Sequence, residues 1–516
     1  MSINPLHLGI SALPNGGSSP ASAQCASAVI ADSQPLPCDG VELSSSSSLL
    51  EQSSAPKHTA AEVPHNSSTP GADSATSAQD DERSAPLSRD AHKLFETMTD
   101  VRREEVLVAA GTDGNDEIFV TMNANKSLII TINGEASYLP ESAQSRLIID
   151  GGAGNDRIIV DKSVTADLRI TGGEGDDYII SGSGHDRIFD NYGSNYIDGG
   201  AGHDVIVARG ADVWPDGRGF VNQLFGGEGN DYIEGGDGND LIQGGAGYDV
   251  LYGLGGDDEI HGGEGSDYID GGSGNDRLFG EAGNDNLLGG QGDDAINGGI
   301  GDDLLVGASG SDSFDASSGA NRIISSGAED TVLAASAQTT TETLTPIGMP
   351  HHITSNGDRS DRARIDSDLE ALASLPHGQK MFSEIAQTGH RVDIELTPDG
   401  SACASFAGNT QRGVGSDSQI FYNASKIALS TDMPWANRAP IVSLYHEMCH
   451  SYNAAVGNMD KGWYQKDGTK MPNGEGTPGL EYQAVGIDVP GIEGNDPLLT
   501  ENGLRDLLGY QKREEY

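Results

Sequence analysis

Two sets of residues in this 516-residue chain could do chemistry. The first is His446-Glu447-Met448-Cys449-His450. On a helix, imidazoles four residues apart project from one face and can reach a single zinc ion, and Glu447 beside the first can take a proton from an attacking water. The second is an aspartate at every ninth position: Asp231, Asp240, Asp249, Asp258, Asp267, Asp276, Asp285, Asp294, Asp303 and Asp312. Each sits in the frame G-G-x-G-x-D-x-U-x, where U is apolar and runs from Ile233 to Phe314. The glycines permit the positive φ of a tight turn. Freed carbonyls and the carboxylate then form an all-oxygen cage that suits Ca²⁺ better than Mg²⁺ or Zn²⁺.

A zinc hydrolase needs a third protein ligand and an open fourth position. The longer pattern HExxHxxGxxH is absent, because Asn453 and Val456 stand where it has Gly and His. A downstream carboxylate must serve instead. Thr477-Pro478-Gly479-Leu480 carries helix-start signals, with Glu481 in the first turn. Glu481 is therefore the leading candidate, and Asp488, Glu493 and Glu501 are the alternatives. A developing oxyanion needs a donor, for which Arg505 and Tyr510, with Arg513 and Tyr516, are the nearby candidates. Cys449 falls on the apolar side of the helix with Ile441, Val442, Leu444 and Met448, as a core residue.

Elements must bring these groups into place. The histidine-bearing helix starts at Pro440, in its first turn. Before it, Leu369, Leu372, Leu375, Met381, Phe382 and Ile385 predict two helical segments broken at Pro376. Val392, Ile394 and Leu396 alternate as a strand, and residues 419–423 read as another. In the repeats, each x-U-x triplet is a short strand with U stacked inward. A degenerate first repeat stands at Gly111 to Ile118, the next clear repeats are Gly151 to Asp156 and Gly172 to Asp177, and an insert at Ala208 to Asn222 interrupts the period. Residues 127–135 predict a strand and an Asn133-Gly134 hairpin turn. Residues 89–105 read as a short helix.

Charge and composition bound the rest. The net charge is −49, and residues 221–320 hold twenty-one acidic side chains against Arg277 alone. Such a stretch repels itself unless cations neutralise it, so its folding should depend on calcium. Without a basic patch, nucleic acid is excluded as a partner. No apolar run reaches the ~18–20 residues of a membrane span. Cys25, Cys38, Cys403 and Cys449 are too scattered for a disulfide framework. The first fifty residues contain no Lys or Arg, so a cleaved leader of the general export route is not expected. Fourteen Ser among the first fifty-five positions mark a segment that cannot offset its ordering entropy.

The nonapeptide array resembles the RTX family, which implies a parallel β-roll with two nonapeptides per turn and several Ca²⁺ ions between neighbouring turns. The C-terminal stretch offers three matching blocks: His446 to His450, Glu481-Tyr482-Gln483-Ala484-Val485-Gly486, and Thr500-Glu501-Asn502-Gly503-Leu504-Arg505 with Leu508-Gly509. Together they resemble the NleD-type family of bacterial effector zinc metallopeptidases, over roughly residues 360–516, although the tail departs from it at Tyr510-Gln511-Lys512. This resemblance implies a zincin-like α+β domain with one catalytic Zn²⁺ on His446, His450 and Glu481, and Glu447 as base. It implies injection into a host cell and cleavage of host proteins, mitogen-activated protein kinases among them. The Ser-rich start resembles type III export signals and would take a secretion chaperone.

The expected organisation is multidomain. A disordered secretion tail (1–88) leads to a short helix and strand-rich cap (89–150). The RTX β-roll (151–330), a linker (331–360) and the peptidase domain (361–516) follow. Two other readings stay open. One is an RTX surface or adhesion protein with an inactive or autoprocessing peptidase domain. The other is a type I-secreted extracellular protease, in which the roll would follow the catalytic domain rather than precede it.

Overall fold

The computed structural model describes residues 107–190, 192–208, 220–327, 329–357, 359–396, 402–404, 415–422, 439–456, 463–464, 470–471, 477–478, 483–485 and 496–513. The expected tail, the helix at 89–105 and most of the insert lie outside the described residues.

From Leu107 to Thr343 the chain winds as a parallel β-roll whose successive strands alternate between two sheets. Among the described residues these have twelve and thirteen strands. In the regular run each residue pairs with the one eighteen positions on, as Gln223 with Leu241 and Tyr232 with Val250, so two nonapeptides make one turn. At the insert the offset is twenty-seven, Tyr196 with Gln223 and Val205 with Tyr232. The longer offset leaves unchanged which side chains of the paired strands face inward. Inside, Ile233, Ile242, Leu251, Ile260, Ile269, Leu278, Leu287, Ile296, Leu305 and Phe314 form one fully buried stack. The hairpin Leu128–Ile132 and Glu135–Leu139 extends one sheet. It turns at Asn133 and Gly134, with φ of 50° and 88°, as its Asn-Gly sequence demands.

Strands Thr331–Ala335 and Thr340–Thr343 add one more strand to each sheet, within the stretch expected to be a linker. A backbone ladder needs neither glycine nor aspartate, so it outlasts the motif that announces it.

The two outer faces of the roll differ. On the thirteen-stranded sheet the residues flanking U include Gln223, Gln243 and Arg277, all exposed. On the twelve-stranded sheet they include Tyr232, Val250, Tyr252, Tyr268, Leu288, Leu304 and Val306, all buried, with buried Glu234, Asp270 and Asn286 among them. The C-terminal domain covers this second face, and one apolar cluster runs from Phe189 through these residues to Leu508.

Among the described residues that domain has four long or capped helices, α1 (Arg359–Ala373), α2 (Pro376–Thr388), α3 (Pro440–Ala455) and α4 (Glu501–Leu507). Proline opens both α2 and α3, where its missing N–H costs no helical hydrogen bond. A four-stranded sheet runs in the order Ile353–Asn356, Val392–Leu396, Ser418–Tyr422, Ala402–Ala404, with only the last pairing antiparallel. Thr477–Pro478, expected to start a helix, instead forms an edge strand against Trp463–Tyr464. An edge is where a strand tolerates a residue without an N–H. Helical backbone follows at residues 483–485.

Helix α1 is the keel of the docking. Arg364 is fully buried, with its guanidinium 3.5 Å from the Tyr252 ring centre, Nε 3.0 Å from Tyr232 Oη and 3.2 Å from Glu234, and its other end 2.8 Å from Asp368. Tyr252 and Tyr422 both donate to Asp368, at 3.1 and 2.6 Å, and Ser367 donates to Asp270 at 3.0 Å. A charge this deep is tolerable only because acids from both sides surround it.

Candidate catalytic and calcium sites

Helix α3 presents His446, Glu447 and His450 at 5–8% exposure on an otherwise buried rod. The two Nε2 atoms lie 3.1 Å apart and the rings are perpendicular. Two nitrogens at ~2.0–2.1 Å from one tetrahedral zinc ion would lie about 3.3 Å apart, so this pair fits a shared ion. Behind it, the Nδ1 of His446 is 2.8 Å from Glu501 Oε2. A carboxylate there fixes the imidazole tautomer and ring plane, leaving Nε2 to bind.

Glu501 reaches this place because Thr500 caps α4, accepting the Gly503 N–H at 3.2 Å. Its other oxygen takes the Nε–H of Arg505 at 2.6 Å, and Arg513 lies 3.6 Å from the oxygen that faces His446. Glu501, an alternative metal ligand by sequence, thus stands on the far edge of His446. Arg505 is fully buried and also donates to the Gln511 carbonyl at 3.0 Å. Tyr510 is half-buried, and its hydroxyl meets Tyr248 of the roll at 2.7 Å. Burial pushes its phenol up to about 12, although hydrogen bonds to Tyr248 and the Ala439 amide hold it back. Cys449 is buried in the core, and burial pushes its thiol up. Glu481, Asp488 and Glu493 lie outside the described residues, among which no three His, Cys, Asp or Glu side chains gather as one metal site.

In the roll, each aspartate is held from one side only. The Oδ1 of Asp249 accepts the N–H of Asp231 at 2.8 Å, and the same bond links Asp240 to Asp258, Asp249 to Asp267, Asp258 to Asp276, Asp267 to Asp285, Asp276 to Asp294 and Asp285 to Asp303. The Oδ2 atoms of Asp231 through Asp312 are buried with no hydrogen-bond partner. They point at glycines that have no room for a side chain: a Cβ on Gly226 would fall 2.5 Å from Asp231 Oδ2 and 2.6 Å from the Gly244 carbonyl of the next turn. Carboxylate and carbonyl oxygens therefore converge on one space, which is the donor set of a calcium site. Without a cation, burial pushes these acids up, to about 7 for Asp231, Asp267 and Asp276, about 8 for Asp285 and Asp294, about 9 for Asp249 and about 6 for Asp303. Asp240 and Asp258 rise well above the ordinary range for the same reason.

Three features escaped the sequence reading: the bracing role of Glu501, the buried Arg364 and the apolar outer face of the roll. The last was visible, since the residues flanking U turn apolar or aromatic on every second repeat. The i,i+4 pair Glu501 and Arg505 hinted at the first.

A calcium-binding β-roll and a helix-and-sheet domain with a braced histidine pair define the class: a repeat protein fused to an enzyme-like domain. The comparisons agree. Residues 350–516 match the family model Peptidase_M91, described as Effector protein. Seven stretches between residues 148 and 336 match the RTX calcium-binding nonapeptide repeat. The C-terminal segment is thus similar to the effector-protein family Peptidase_M91, and the middle of the chain to the calcium-binding RTX repeats. No curated protein is similar enough to match.

Proposed function

We propose that the chain is a secreted zinc-dependent endopeptidase that cleaves proteins of a host cell. The observation that carries this is the pair of Nε2 atoms 3.1 Å apart, aimed by Glu501 on His446. His446 and His450 would hold the ion, with Glu481 as third ligand. When bound, zinc would bring the pKa of a water near 7 and polarise the scissile carbonyl. Glu447 takes the proton of the attacking water and returns it to the leaving amine. Arg505, locked onto Glu501, serves by positioning His446, and Tyr510 by anchoring the tail behind it. In the roll, Asp231 through Asp303 hold calcium.

Substrate and route rest on the family resemblance: a host protein, with mitogen-activated protein kinases first in line, reached by type III delivery through residues 1–88 and a secretion chaperone. The test is direct. Calcium-loaded full-length protein is assayed for zinc content and for cleavage of a kinase panel, beside Glu447→Gln. One zinc per chain, with cleavage lost in the variant, supports the proposal, and a metal-free protein removes it. A reporter fused to residues 1–90 tests the route separately.

A further inference from the structure

We infer that the calcium roll is part of the device that orients His446, so that calcium bound in the roll tightens zinc binding in the C-terminal domain. This rests on the zinc reading above. Helix α4 has seven residues, far below the ~12–15 that hold a helix unaided. It keeps Glu501 on His446 because its end is tied down. Leu508 O accepts from Asn286 Nδ2 at 3.2 Å, and Tyr510 Oη meets Tyr248 Oη at 2.7 Å. Tyr510 in turn donates its N–H to Arg505 O at 2.8 Å, and Arg505 holds Glu501 at 2.6 Å.

Both anchors belong to the roll, and both adjoin an aspartate of the ladder: Tyr248 precedes Asp249, and Asn286 follows Asp285. Each of those aspartates carries a buried, unpartnered Oδ2. Without a cation those buried oxygens have no partner, and a turn that opens to hydrate them carries Tyr248 and Asn286 away from the tail. Glu501 then loses its brace, and His446 its fixed ring plane. Losing such a carboxylate typically costs about 10–100-fold in metal affinity. Linkage requires the reverse as well, with zinc raising calcium affinity by the same factor.

The experiment uses the full chain, freed of calcium by dialysis. Zinc affinity is measured by competition with a chromophoric chelator, with and without saturating calcium, in the wild type and in the double variant Tyr248→Phe, Asn286→Ala. The expected result is about 10–100-fold tighter zinc binding with calcium in the wild type, largely lost in the variant, whose roll still gains its β signal by circular dichroism. Equal zinc affinity with and without calcium overturns the inference, as does a variant that couples like the wild type. Zinc binding under neither condition sinks the zinc reading instead. Hydrogen exchange over residues 501–510 then decides: protection gained with calcium in the wild type alone supports the brace, and unchanged protection overturns it.

Discussion

The aspartate ladder and the histidine pair are both sets of buried polar groups oriented from behind, but they obtain that support in opposite ways. In the roll the supporting group is the same residue one turn away: Asp231 N–H on Asp249, Asp249 N–H on Asp267. The pattern templates itself and is spread over many copies. In the C-terminal domain His446 is supported by the Glu501 carboxylate, itself held by Arg505 and a capped short helix. Repetition makes a site tolerant, whereas a site assembled once concentrates its dependence on a few side chains.

That contrast predicts unequal sensitivity, most sharply at Glu447. Glu447→Gln removes the only base the reading assigns while leaving both imidazoles and Glu501 in place. Peptidase turnover should fall by about 10²–10⁴-fold, with zinc content unchanged by mass measurement. A variant that loses zinc in proportion to activity would show that Glu447 holds the metal's surroundings together rather than moving a proton.

The joint between the two regions should respond next most strongly. Arg364→Ala strips the cation from between Glu234 and Asp368, both nearly fully buried. Leaving such acids uncompensated costs about 3–5 kcal/mol. Urea unfolding should lose that amount and split into two transitions, the domain melting before the roll. A single transition shifted by less than about 1 kcal/mol would mean that apolar burial along α1 holds the domains without the arginine.

What could be read from the sequence follows the same division. The roll was legible because its physics is periodic: Asp, Gly and U recur at fixed spacing, while the eighteen-residue pairing seen in the ladder came from the resemblance to the RTX family rather than from the spacing. Its far end was not, since Thr331–Ala335 and Thr340–Thr343 continue the ladder without motif residues. In the C-terminal domain, α3 and its histidines were legible from local spacing and Pro440. The role of Glu501 was not, because nothing local distinguishes a ligand from the carboxylate behind a ligand; only the fold sets which edge of His446 it meets. Thr477–Pro478 misled for a related reason. A Ser/Thr-Pro step suits a helix start and an edge strand alike, and the pairing with Trp463–Tyr464 decides.

The comparison extends to pH. Burial raises the acids of the calcium-free roll from their ordinary 3.8, to about 7 for Asp231 and about 9 for Asp249. A raised carboxyl favours the folded form while protonated, so this stability is fully present below pH 3.8 and lost as pH climbs through about 6 to 9. Calcium-free protein should melt at falling temperatures between pH 5 and roughly 9. Calcium-loaded protein should stay nearly flat, because bound cations keep the carboxylates ionised. Circular dichroism melts across that range check both, and a calcium-free roll that grows more stable with rising pH would contradict the buried-acid account.

The smallest effect should come from a single rung. Asn195 and Asn321 already occupy the aspartate position in their repeats, and each accepts the same amide bond, from Asp177 at 2.9 Å and from Asp303 at 2.8 Å. The ladder therefore needs the carbonyl oxygen for its shape and the second, charged oxygen only for its cation. Asp267→Asn keeps the first and removes the second. With calcium, the melting temperature should fall by only about 2–4 °C, a loss of roughly 1 kcal/mol in a region of this length. Without calcium the sign should reverse, because the substitution also removes a buried acid raised to about 7. A single rung that weakened both states would mean that the aspartates serve the fold itself, and the distinction between a tolerant repeated site and a singular one would no longer hold.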